Sequence, residues 1–126
     1  MTDKDKFSFE DLTIWKKAIE FSRKVILLSE NIKTDRKHFR LIEQLESSAT
    51  SVALNIAEGK GRYSKKEFMQ FLYIARGSLF ETITLLILFK DNNWITEKEL
   101  VEIKNDAIEL SKMISSFITT IRNSVT

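Results

Sequence analysis

Within residues 55–67, Lys60, Arg62, Lys65 and Lys66 gather around Gly59, Gly61 and Ser64, where one helical pattern stops and another starts. Cations at a helix start can hold a phosphate, because free first-turn amides and the helix dipole both favour an anion. Two neighbours oppose that use. Ser64 and Glu67 form the Ser-x-x-Glu capping pattern, which occupies first-turn amides and adds negative charge. Gly59-Lys60-Gly61 is not a phosphate loop, since it lacks the Gly-x-x-x-x-Gly-Lys-Ser/Thr spacing and follows a helix. A second basic group, Lys33, Arg36, Lys37 and Arg40, flanks the preceding connection and is offset by Asp35.

Other chemistry is thinly supplied. His38 is the one histidine, and the residue three before it is Asp35, not glutamate; a di-iron site built on two Glu-x-x-His pairs needs two histidines and so fails on ligand count. A nucleophile–His–acid triad would need the same residue, which lies in the charged run Asp35-Arg36-Lys37-His38, read as a solvated loop or helix start. Arg36 precedes His38 too closely to match helical-bundle ribonucleases with an arginine a few residues before the histidine. Cysteine is absent, which removes disulfides, thiol nucleophiles and thiolate metal sites, and fits a reducing cytoplasm. The residues therefore point to no catalytic group, no metal, no cofactor and no enzyme.

A polar set remains. Ser51, Asn55 and Glu58 share one side of the second helical pattern, and Ser78, Glu81 and Thr82 cluster after Gly77 on the third. They could line a binding groove. The preferred reading makes them hydrogen bonds that fix register or assembly, with Gly77 permitting close backbone approach, because a glycine inside a helix costs about 1 kcal/mol and usually has a packing reason.

The elements that position these residues are legible from periodicity. Apolar residues recur at helical spacing almost throughout. In the first segment Leu12, Trp15, Ile19, Ser22, Ile26 and Ser29 trace a stripe widened by Ala18, Phe21, Val25 and Leu28, with Ser8 or Asp11 as its cap. Leu45, Ala49, Val52, Ala53 and Ile56 mark the second, which ends at Gly59, a residue able to take the left-handed conformation that a helix C-terminus often needs. Phe68, Leu72, Ala75, Leu79, Leu86 and Phe89 mark the third, opened by Ser64–Glu67 and broken by Asp91-Asn92-Asn93. Thr96 and Glu99 repeat the capping pattern before Leu100, Ile103, Ala107, Leu110, Ile114, Phe117 and Ile121.

Helices over about 9–30, 38–58, 65–91 and 97–122, joined by short connections, predict an all-α, antiparallel up-down-up-down four-helix bundle forming one domain over 1–126. The polar N-terminus argues against a signal peptide, and the apolar run 83–89 is too short to span a bilayer, so no membrane partner is expected and the location is read as cytoplasmic. Tyr73, Ile74, Phe80, Leu85, Ile87 and Leu88 spread apolar surface around the third helix beyond what a small bundle buries. Some of it is expected to be covered by another subunit. A net charge of +2 permits nucleic-acid contact without arguing for it.

The order of Gln44-Leu45, Ala49, Ser51-Val52, Asn55-Ile56-Ala57-Glu58-Gly59, Gly61-Arg62, Ser64, Glu67-Phe68, Phe71-Leu72, Ile74-Ala75, Gly77-Ser78-Leu79 and Glu81-Thr82, after an opening Phe9-Glu10-Asp11-Leu12-x-x-Trp15-x-x-Ala18, resembles the bacterial four helix bundle protein family, whose founding members are encoded in intervening sequences of 23S ribosomal RNA genes. The resemblance spans nearly the whole chain. It implies a homo-oligomeric ring, a pentamer, and a relation to the accessory variability protein of diversity-generating retroelements, a basic bundle that works with a reverse transcriptase and binds nucleic acid. Two departures stand out: 31–37 lacks the proline many relatives carry there, and Glu46-Ser47 replaces the basic residues that often follow the Gln-Leu pair. Arg62 and Arg76 remain basic. The resulting expectation is a non-enzymatic bundle that contacts RNA or DNA through Lys60, Arg62, Lys65, Lys66 and Arg76. Ser51, Asn55, Glu58, Gly59, Gly61, Ser64, Glu67, Gly77, Ser78 and Glu81 would hold the structure and assembly together. The alternative is a protein-interaction scaffold with no nucleic-acid ligand.

Overall fold

The computed structural model describes residues 5–32, 34 and 38–124. Four helices carry the fold: α1 (Thr13–Glu30), α2 (Phe39–Lys60), α3 (Lys65–Asp91) and α4 (Glu97–Asn123), preceded by a 3-10 turn at Ser8–Asp11. Each helix packs on its sequence neighbours, and α4 closes the bundle against α1. Cross-helix contacts fix the directions. Ser22 meets Ala49 and Ser29 meets Glu46, so α2 runs against α1. Ser48–Thr82 and Ser51–Ser78 set the same relation between α2 and α3. Phe68–Phe117 and Lys90–Glu97 set it between α3 and α4, and Lys17–Glu109 with Lys24–Asp106 between α4 and α1. The result is the up-down-up-down four-helix bundle expected of long helices with short connections.

The core runs through Ile14, Ala18, Phe21, Val25, Leu45, Val52, Ile56, Leu72, Leu79, Leu86, Leu110 and Ile114. In α1 the buried line is Ile14, Ala18, Phe21, Val25 and Leu28; Ile19, on the stripe read from sequence, is exposed. The first stripe was wide enough for two lines, and only packing against α2 and α4 selects between them. Neither Ser8 nor Asp11 caps α1. Both fall inside the 3-10 turn, and α1 begins after an extended Leu12 without a side-chain cap.

The helix ends divide into three kinds. Thr96 and Glu99 make a complete capping box, with the Glu99 amide donating to Thr96 Oγ1 and the Thr96 amide donating to Glu99 Oε1. Ser64 completes half of one: it accepts from the Glu67 amide at 3.2 Å, while its hydroxyl donates to the Glu67 carboxylate. The α3–α4 turn closes differently, through Asn93 at φ 62°, with Asn93 N–H to Lys90 O at 2.9 Å and Trp94 N–H to Phe89 O at 2.8 Å. Those two bonds satisfy carbonyls that α3 would otherwise leave bare, and Trp94 packs its ring on Phe89.

Gly59 takes the close-approach role the sequence suggested for Gly77, and neither glycine takes a left-handed conformation. No described glycine has positive φ, and Gly59 lies within α2. It is glycine for space: an added Cβ would sit 2.6 Å from Phe71 Cβ and 2.9 Å from Phe68 Cδ1. At Gly77 an added Cβ meets nothing within 4 Å, so no close approach within the chain explains it.

Candidate nucleic-acid interface

The antiparallel order brings the start of α1, the end of α2, the start of α3 and the end of α4 to one end of the bundle. Lys65 Nζ donates to Ser124 Oγ at 3.2 Å, which fixes the last two elements side by side. Lys60, Lys65 and Lys66 are exposed here, and none has an acidic partner among the described residues. Elsewhere the pattern is mixed: exposed Lys16, Lys98, Lys104 and Lys112 also have no acidic partner among the described residues, whereas other lysines are paired. Lys17 pairs with Glu109, Lys90 with Glu97, and Lys24 with Asp106 at 2.8 Å. The hydrogen bond from Asp106 holds the Lys24 ammonium above its ordinary pKa, against a smaller opposing effect of desolvation.

Arg62 does not join the uncommitted cations. Its guanidinium folds back onto the Phe71 ring at 4.6 Å and donates to Glu58 Oε1 at 3.1 Å, one turn earlier. That contact gives Glu58 a structural use and closes the turn over the Gly59 contact. Arg76 lies roughly 16 Å further along α3 by helix rise. It is half-buried, donating to Ser115 Oγ at 3.0 Å and lying 5.0 Å over the Tyr73 ring. The structure therefore separates Arg76 from the lysine end. Arg122, which the sequence reading passed over, stands at that end and donates to the Tyr73 hydroxyl. A basic residue in the last turn of α4 was its only signal. The first-connection group Lys33, Asp35, Arg36 and Lys37 lies outside the described residues; Arg40, in the first turn of α2, is exposed.

The polar set splits in the same way. Ser51 Oγ meets Ser78 Oγ at 2.9 Å, and Asn55 Nδ2 donates to both the Ser51 carbonyl and its hydroxyl at 2.8 Å. One turn along, Ser48 and Thr82 share a buried contact at 2.9 Å. These small hydroxyls stitch α2 to α3 and leave no buried side-chain polar atom unpartnered among the described residues. They form a seam, with no groove for a ligand. Gly77 and Glu81 do not belong to it, since both are exposed on the outer face of α3. Gly61 caps α2 with its amide on Ala57 O at 3.2 Å. Glu46, read as a loss of positive charge on α2, accepts from Ser29 at 3.0 Å and ties α2 to the end of α1.

Nothing converges for catalysis among the described residues. No group of three His, Cys, Asp or Glu could hold a metal. His38 stands at the opposite end, before α2, its ring 4.4 Å from that of Trp94, so the residue is packed and is not a free loop side chain. Residues Lys65–Asp91 are long and apolar enough by composition to cross a membrane, a property the apolar run 83–89 alone did not reveal. Half of the explanation is internal: Phe68, Leu72, Ala75, Leu79, Leu86 and Phe89 face the bundle core. The other half is an outer face with Ile74 52% and Phe80 55% exposed, accompanied by Tyr73, Ile87 and Leu88.

Comparison with known proteins agrees with the geometry. A solved structure of a protein of unknown function, from the S23 ribosomal protein family of Bacteroides thetaiotaomicron, is similar to this chain at 29% identity, with a TM-score of 0.78 over 84% of this chain and 98% of that one. No curated protein sequence matches this chain. Residues 10–116, which take in nearly all of the four helices, match the family described as 23S rRNA-intervening sequence protein. The chain belongs to the 23S rRNA-intervening sequence protein family.

Proposed function

We propose that this chain is a non-catalytic, self-associating bundle that presents one basic end to RNA or DNA. The observation that carries the reading is the cluster itself: Lys60, Lys65 and Lys66 stand exposed around one turn at one end of the bundle, with no acidic partner among the described residues. Unneutralised cations on one surface are the electrostatic footprint of phosphate binding. Arg122 adds to that end, while Arg62 and Arg76 contribute structure more than phosphate contact.

Self-association draws support from two apolar regions on opposite sides of the bundle. One is the outer face of α3, which continues into a groove between Phe80 and Ile108. The other lies across α1 and α2, between Ile19, Leu27 and Leu54, the last 65% exposed. Unlike faces that meet head to tail close into a ring when the rotation permits. The pentamer that the family resemblance implies is one such closure. A ring repeats the basic end in every subunit, so individually weak phosphate contacts would add through effective concentration.

Binding to a structured ribosomal RNA fragment across a salt series tests the proposal. The wild type should bind with a steep salt dependence, and Lys60→Glu with Lys66→Glu should weaken binding and flatten the slope. Equal low-salt affinity in wild type and variant sinks the nucleic-acid reading. The same apolar faces favour a second reading, a scaffold whose partner is another protein, such as a reverse transcriptase, with no nucleic acid bound.

A further inference from the structure

Tyr63 is the most exposed large hydrophobic side chain among the described residues, with 103% of its reference surface in solvent. It stands in the α2–α3 turn, between Arg62 and Ser64, with Lys60, Lys65 and Lys66 within three residues. Its neighbours explain why it points outward. Arg62 folds back onto Phe71 and Glu58, and Ser64 turns in to cap α3, so the residue between them has no part of the protein to pack on. Both faces of its ring are open. That is an unfavourable place to leave an aromatic ring, because burying its apolar surface would stabilise the fold. Phe7 adds a second ring at the same end of the bundle, 72% exposed and stacked on Phe9 at 5.7 Å.

We infer that the basic end recognises unpaired nucleotides, with Tyr63 as a platform on which a base stacks while Lys60, Lys65 and Lys66 take the neighbouring phosphates. This rests on the nucleic-acid reading and narrows it to single-stranded segments. The chemistry is complementary: bases in loops and single strands present open π-faces, which aromatic side chains stack without reading sequence. In a duplex those faces are hidden by neighbouring pairs. An open ring among cations therefore separates the two forms where lysines alone do not.

The test compares a fluorescein-labelled RNA of roughly 15 unpaired nucleotides with the same strand annealed to its complement, by anisotropy at low salt. Wild type should favour the single strand. Tyr63→Ala should weaken single-strand binding about tenfold, leave duplex binding and the salt slope unchanged, and Tyr63→Phe should restore the affinity. Lys65→Glu with Lys66→Glu should weaken both forms. Because Tyr63 packs on nothing, its alanine variant should keep wild-type circular dichroism. Lysine-dependent binding that Tyr63→Ala leaves intact, or weakens equally for both forms, overturns the stacking inference and spares the nucleic-acid reading. Wild-type protein that binds neither form overturns both.

Discussion

Replacing Gly59 and Gly77 by alanine should move stability in opposite directions. Both glycines are helical with ordinary φ, so each substitution gains about 1 kcal/mol of helix propensity and reduced unfolded-state freedom. At Gly77 nothing opposes the gain, because the new methyl group enters open space. At Gly59 the methyl carbon would lie 2.6 Å from Phe71 Cβ and 2.9 Å from Phe68 Cδ1, against about 3.5–4.0 Å for carbons in contact. The Phe68 ring can rotate away, but Phe71 Cβ is fixed to its backbone, so α2 and α3 must separate by about 1 Å at this point. Overpacking of that kind costs about 1–3 kcal/mol, which leaves a net loss near 1 kcal/mol. The two variants should therefore differ by about 2 kcal/mol, with melting midpoints several degrees to either side of wild type. Thermal and urea unfolding followed by circular dichroism measures this. Low protein concentration is used, since the proposed self-association would make the midpoint concentration-dependent and Gly77 lies on the apolar outer face. A Gly59→Ala protein as stable as Gly77→Ala would refute the close α2–α3 contact.

Ser48→Ala and Thr82→Val should show modest coupling, about 0.5–1 kcal/mol, because each hydroxyl can also donate to its own helix, Ser48 to Leu45 O and Thr82 to Ser78 O, and a single substitution leaves the survivor that bond. A double-mutant cycle in urea decides this, and simple additivity would argue against the buried contact. If the chain self-associates as proposed, Phe80→Asp with Ile74→Asp should reduce the mass measured by light scattering without loss of helicity, since both side chains are more than half exposed; an unchanged mass would argue against this face as a subunit contact. Lys24→Met should cost less than about 1 kcal/mol, because the Lys24–Asp106 pair is partly solvated. The pair's pH dependence has a definite sign. The folded Lys24 pKa is raised, so its stabilisation is fully present below the unfolded value of 10.5 and is lost as pH rises through the higher folded value. A wild-type minus Lys24→Met stability difference that falls away between pH 7 and 9 contradicts the assignment.

The number of the helices and most of their bounds were legible in the sequence because they depend on local information; the start of α1 at Thr13 and the run of α2 through Gly59 to Lys60 were not. Periodicity marks a face, and Thr96–Glu99 or Ser64–Glu67 marks a start, through contacts made within one turn. The order of residues in α2 and α3 also carried the family. Matters decided between helices were not legible. Which edge of a wide α1 stripe is buried, why Gly59 is glycine, that Arg62 lies on Phe71, and that Arg76 stands apart from Lys60, Lys65 and Lys66 all depend on what a neighbouring helix places opposite. Tyr63 shows the same division. Its type and charged neighbours are written in the chain, but its complete exposure exists only because Arg62 and Ser64 find partners in the fold and leave it none.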